Sequence, residues 1–118
     1  MIGWYTLHKL SRRRDLENKR KDLRINYLIE AWKKLEYASN REITETEFID
    51  YIEKPVALIQ LFGKTTQINL AKQLANEIGQ NGETSLNTIL EELRNDLREE
   101  LSLNKVHGKM TFIRYKKR

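Results

Sequence analysis

The chain has no cysteine, one proline, five glycines and two histidines in 118 residues. Without cysteine there is no disulfide, thiol nucleophile, zinc knuckle or iron–sulfur ligand, so chemistry would have to come from oxygen and nitrogen groups, and redox environment leaves cytosol and periplasm equally open. One proline and five glycines are too few for collagen-like, linker-like or turn-dominated all-β designs, whose turns need those residues repeatedly. His8 and His107 sit near opposite ends, and neither has a His, Asp or Glu at the three- or four-residue spacing of a zinc helix. No apolar run approaches the roughly 20 residues of a membrane-spanning helix. The start also lacks the basic leader, long apolar run and small-residue cleavage site of a secretory signal, so export is not expected.

What is present supports one globular core. Hydrophobic residues make up 39% of the chain and charged residues 33%, the latter divided into 22 basic and 17 acidic, so wholesale disorder is not expected. The net charge of +5 is unevenly placed: +6 over residues 1–41, −7 over 42–104 and +6 over 105–118. Such polarity can steer anionic partners or pair the chain's ends with its middle. Residues 1–11 form an apolar and aromatic segment, 12–104 a helical domain and 105–118 a basic extended tail. Trp4 and Tyr5 lie just ahead of Arg12, Arg13 and Arg14. Aromatic side chains favour the membrane–water boundary, and cations beyond an apolar segment hold that side in the cytosol. At about half the length of a span, the segment suits the inner end of a membrane helix, an interfacial anchor, or the first turns of a packed helix.

From Arg12 to Ser39 no glycine or proline intervenes, and Leu16, Leu23, Tyr27, Ala31, Leu35 and Ala38 recur at helical spacing, predicting one long first helix. Between Leu23 and Leu35 it is apolar most of the way round and is expected to be surrounded by neighbours, whereas its first half is charged and should project into solvent. Thr44 and Glu47 form a capping box with Ile43 and Phe48 at staple positions, marking a second helix. Pro55 should kink it or restart it as a short helix ending at Gly63, a residue suited to a left-handed cap. A third helix is predicted from Thr65 or Thr66 to Gly79, and a fourth, capped by Ser85, carries the stripe Leu86, Ile89, Leu90, Leu93, Leu97 and Leu101. Met110, Phe112 or Ile113 would pack an extended tail against the helices. The expected fold is therefore an all-α small helical bundle with one long first helix, a Pro-broken second helix and a short extended C-terminal tail.

Candidate chemistry is sparse. Gly63-Lys64-Thr65 has the ending of a phosphate-binding loop, but Leu58 stands where the earlier glycine is required and the preceding element is helical. Glu91, Glu92, Asp96, Glu99 and Glu100 flank the leucine stripe of the fourth helix, interleaved with Arg94 and Arg98, and are expected to form a solvated, ion-paired face. The serines lack a nucleophile elbow. No catalytic, cofactor-binding or metal-binding residue is assigned, and no small-molecule substrate is expected.

The chain also resembles a group of small uncharacterised bacterial proteins with an N-terminal transmembrane helix and a cytosolic helical domain. The resemblance lies in Arg14-Asp15-Leu16-Glu17-Asn18-Lys19-Arg20-Lys21, Tyr27-Leu28-Ile29-Glu30-Ala31, Leu35-Glu36, Ala38-Ser39-Asn40-Arg41, Gln60-Leu61-Phe62-Gly63 and Leu93-Arg94-Asn95-Asp96-Leu97-Arg98, although most of a membrane helix is missing. It implies that the residues from Arg12 onward lie on the cytosolic side, and it implies no activity. The leading expectation is a non-enzymatic protein-interaction module in the cytoplasm at the inner face of a bacterial membrane. Trp4, Tyr5, Arg12, Arg13, Arg14, Lys19, Arg20 and Lys21 would meet an anionic surface, and Asn40, Arg41, Arg94 and Arg98 a protein partner or second copy. The alternatives are a nucleic-acid-binding protein using Arg12 to Arg24 and the basic tail, an immunity- or antitoxin-type binding protein, and a catalytic domain using Glu92, Asp96 and Glu100.

Overall fold

A computed structural model describes residues 2–115, with side chains from Arg12 onward. Its elements are α1 (Ile2–Ala38), α2 (Glu45–Phe48), a π-helical turn (Ile49–Glu53), α3 (Lys54–Phe62), α4 (Thr65–Asn81) and α5 (Asn87–Glu100). There is no strand among the described residues. The all-α bundle follows from four long stretches of helical periodicity separated by short breaks.

Helix α1 has 37 residues with one glycine near its start and no proline, so nothing interrupts its hydrogen-bond ladder across the boundary at residues 11 and 12. At about 1.5 Å per residue it is roughly 55 Å long. The molecule measures 72 × 28 × 24 Å, with a radius of gyration of 18.3 Å, against about 13 Å for a compact chain of this size. The excess length is α1. Among the described side chains its second half packs, through Ile25, Leu28, Ala31, Leu35 and Ala38, while Arg12 to Leu23 are exposed throughout. The expected face beginning at Leu16, Leu23 and Tyr27 is thus corrected. Those three residues are exposed, because the other helices pack on the side of Leu28 and Leu35 and Tyr27 lies at its edge, stacked on Phe62 with ring centroids 4.7 Å apart.

The second helix starts as its sequence dictates. The Thr44 hydroxyl accepts from the Glu47 amide, the Glu47 carboxylate accepts from the Thr44 amide, and Ile43 and Phe48 pack on the core. Pro55 restarts the helix without ending it. The π turn shifts the ladder, with the Lys54 amide donating to the Ile49 carbonyl five residues back, and so accommodates a residue with no N–H and a bulky ring in the first turn of α3. Gly63 follows with φ −77° and ψ 161°, extended and not left-handed. Its lack of a side chain matters for another reason: a Cβ there would stand 2.5 Å from the Ile59 carbonyl oxygen.

Helix α4 starts at Thr65 after Lys64, whose amide donates to Gln67 Oε1 at 2.9 Å. The side chain capping this helix is therefore that of Gln67. It runs through Gly79 to Asn81, and the left-handed cap is Gly82, φ 75°. Helix α5 begins at Asn87, one residue inside the expected start, with the Ser85 hydroxyl accepting from the Asn87 amide at 3.3 Å. It closes in a Schellman motif: the Ser102 and Leu103 amides donate to the Glu99 and Arg98 carbonyls, and Ser102 sits at φ 60°. The tail beyond has no regular structure to Tyr115; Met110 and Phe112 pack on the core, whereas Ile113 is exposed.

Two substitutions test these backbone assignments. Ser102→Gly removes the strain of a side chain in a left-handed conformation and should stabilise the protein by about 1 kcal/mol. Gly63→Ala should destabilise it by about 1–3 kcal/mol, the usual cost of overpacking. Urea denaturation measures both.

Candidate functional site

Three features of the surface and core bear on function. The first is the leading half of α1, which leaves the bundle before Ile25. Arg12, Arg13, Arg14, Lys19, Arg20 and Lys21 are all exposed on it. Arg13 lies 3.6 Å from Glu17, and Lys21 reaches 3.7 Å from Glu100 at the root of the arm. For Trp4 and Tyr5, which lie on the described backbone of α1, the side chains fall outside the described residues.

The second is a polar layer that closes the bundle where the arm emerges. Asp96 on α5 has a side chain only 3% exposed, and burying a carboxylate this far is tolerable only with cations and donors around it. Arg24 Nη2 donates to Asp96 Oδ2 at 3.0 Å, and Gln67 Nε2 donates to the same oxygen at 2.7 Å. Lys64 Nζ stands 2.7 Å from Oδ1, at an angle outside hydrogen-bond geometry. The rest of the Arg24 guanidinium is also used: Nε donates to the Phe62 carbonyl and Nη1 to Glu100 Oε1, both at 3.0 Å. One arginine thus ties α1 to the end of α3 and to α5. Burial pushes the Asp96 carboxyl up, but Lys64, Gln67 and Arg24 outweigh it and hold the group below the ordinary aspartate range. Lys64 is raised in turn, chiefly by Asp96.

The expected solvated acidic face is therefore corrected for Asp96, which is buried. Glu91 and Glu92 are half-buried and only Glu99 is exposed. Helical spacing contained the signal. Asp96 and Glu100 continue the Ile89 and Leu93 side of α5, Gln67 opens the Ala71 and Leu74 face of α4, and Arg24 leads into the Leu28 and Leu35 face of α1. Lys64, in the sequence that ends like a phosphate loop, is engaged by Asp96.

The third feature is an open groove of about 840 Å³ at the opposite end of the bundle. It is floored by Ala38, Ile43, Phe48, Ile52, Ile78 and Leu86 and bordered by Asn40, Arg41, Glu42 and Glu83. Asn40 is left-handed at φ 58°, and the Arg41 guanidinium lies 4.4 Å from the centre of the Tyr37 ring. The structure does not bring the four expected protein contacts together. Asn40 and Arg41 border the groove, whereas Arg94 and Arg98 hold the tail: Arg94 Nη2 donates to the Val106 and Gly108 carbonyls at 3.0 and 2.9 Å, and Arg98 Nε to the Asn104 carbonyl at 2.6 Å. Arg114, not singled out by sequence, fastens the tail to the end of α1 through Ser39 O at 3.1 Å and Glu36 Oε1 at 3.0 Å. Among the described residues no three His, Cys, Asp or Glu side chains could hold a metal ion.

Comparison of the chain with protein-family models, curated proteins and solved structures gives no match. The resemblance to bacterial proteins with an N-terminal transmembrane helix is therefore overturned. The strings that carried it are short, and no helix among the described residues is long and apolar enough to cross a membrane.

The polar layer predicts a specific acid response. Because the Asp96 pKa is lowered in the folded state, its contribution is present above the unfolded value, near 4, and is lost as pH falls through the folded value. Asp96→Ala leaves Arg24 Nη2 and Gln67 Nε2 without their shared acceptor, while Arg24 keeps Glu100 and the Phe62 carbonyl, and should cost about 1–3 kcal/mol at neutral pH. The gap between variant and parent in urea denaturation should narrow in acid below about pH 4.

Proposed function

We propose that the chain is a non-enzymatic interaction module, held at an anionic membrane surface by the arm of α1 while the groove end of the bundle is left for a protein partner. The observation that carries the reading is the arm: a helical rod leaving the bundle with every residue from Arg12 to Leu23 in solvent and an excess of cations along it. A stretch of helix with no packing partner in its own fold gains stability when something else covers it, and its charge favours an anionic surface. What supports the non-enzymatic part is how two of the carboxylates are engaged. Asp96 and Glu100 share Arg24, and the lowered pKa of Asp96 makes it a poor proton acceptor at neutral pH. The groove, with an apolar floor and mixed charges at its edge, suits a protein segment better than a small polar molecule.

Co-sedimentation tests the membrane component. Each cation near an anionic bilayer contributes about 1 kcal/mol, so replacing Arg12, Arg13 and Arg14 together by Gln should weaken binding to phosphatidylglycerol-containing vesicles by more than about tenfold, with no retention on neutral phosphatidylcholine vesicles. Equal retention of parent and variant would refute the reading.

A further inference from the structure

The arm is not uniformly charged around its circumference. At about 100° per residue, Arg12, Leu16, Lys19, Arg20, Leu23 and Tyr27 fall within roughly 100° of one another, while Asp15, Glu17 and Asp22 all fall outside that sector. Leu16, Leu23 and Tyr27 run down its middle, with Arg12 and Lys19 on one flank and Arg20 on the other. The leucines are 49% and 50% exposed although the bundle has a core to offer. The sector's centre is turned roughly 120° from Leu28 and Leu35, and its Tyr27 edge adjoins the packed side at Ala31, Ala38 and Phe62.

We infer that this sector is a lipid-seated face: Leu16 and Leu23 enter the headgroup and upper acyl layer of an anionic bilayer while Arg12, Lys19 and Arg20 extend sideways to the phosphates, and Tyr27, stacked on Phe62, marks where the face meets the bundle. The inference rests on the membrane reading above and adds the face and the mode. The arguments are chemical. A polyanion without an apolar phase, such as duplex nucleic acid, makes use of the cations and leaves the leucines in water. A bilayer surface satisfies both, because basic side chains with long apolar stems place their charge at the interface while the apolar midline is buried about 5–10 Å deep. An acid-free sector also avoids repulsion with the same phosphates.

The absence of cysteine makes the test direct. Leu16→Cys, Leu23→Cys and, on the opposite side of the arm, Asn18→Cys each accept one environment-sensitive thiol-reactive dye in the full chain; Asn18 is exposed, as are both leucines. With phosphatidylglycerol–phosphatidylcholine vesicles, dyes at positions 16 and 23 should shift to the blue and the dye at 18 should not. The charge-neutral double variant Leu16→Gln, Leu23→Gln should bind about tenfold more weakly or worse, with its helical circular dichroism unchanged. Binding without a blue shift at 16 and 23, or an equal shift at 18, overturns the seated face while leaving charge-driven membrane binding in place. Failure of the parent chain to bind these vesicles, or its preference for duplex DNA, overturns both.

Discussion

A carboxylate buried at one end of a small helical bundle must be met by cations, and much of this molecule's arrangement depends on how Asp96 is met. Arg24 approaches from α1, Lys64 and Gln67 from the start of α4, and the same arginine reaches the last carbonyl of α3 and Glu100 on α5. Four helices are thereby linked by groups that cannot slide without stranding a buried charge. The tight turn at Gly63 belongs to this constraint. It lets the end of α3 come close enough for the Phe62 carbonyl to face Arg24, while the Gln67 side chain caps the Lys64 amide and holds Asp96 at once.

The layer also marks where packing stops. Between Arg12 and Leu23 no second helix covers α1, so this charged stretch stays in solvent as a rod on a rigid mount. At the other end the bundle is finished by loops. Asn40 takes the left-handed conformation that ends α1, Gly82 does the same for α4, and the open groove lies between those two turns. The two ends therefore differ in kind: one is sealed by charge and extended by a helix, the other is apolar, open and loop-lined. The tail, pinned by Arg94, Arg98 and Arg114, covers part of the bundle between them.

Helix existence was readable in the chain because periodicity and capping are local. The Thr44–Glu47 box, the stripe of α5 and the uninterrupted stretch after Arg12 each carry their own signal. Details that depend on neighbours were not. Helix α4 continues through Gly79 because the residues beyond it still have ladder partners, and the first glycine able to end it with a left-handed turn at no steric cost is Gly82. Leu16, Leu23 and Tyr27 share a repeat with buried residues, and only the reach of the other helices decides that they are not in the core. The polar layer was half legible. Asp96, Gln67 and Arg24 each sit beside an apolar face, but their pairing across 29 and 72 residues of sequence has no local signature.

By itself the sequence determined that this is a helical protein with unequal charge along its length, where its second helix begins, and that no thiol chemistry is available to it. Each of these is a property of one segment or of composition. The tertiary structure alone decided that an aspartate on α5 is buried, that Lys64 is held by it and not presented to a phosphate, and that Arg12 to Leu23 of α1 stand outside the core. These outcomes depend on which surfaces meet in space, and the free energy of burying a charge or exposing a leucine is set by neighbours distant in the chain.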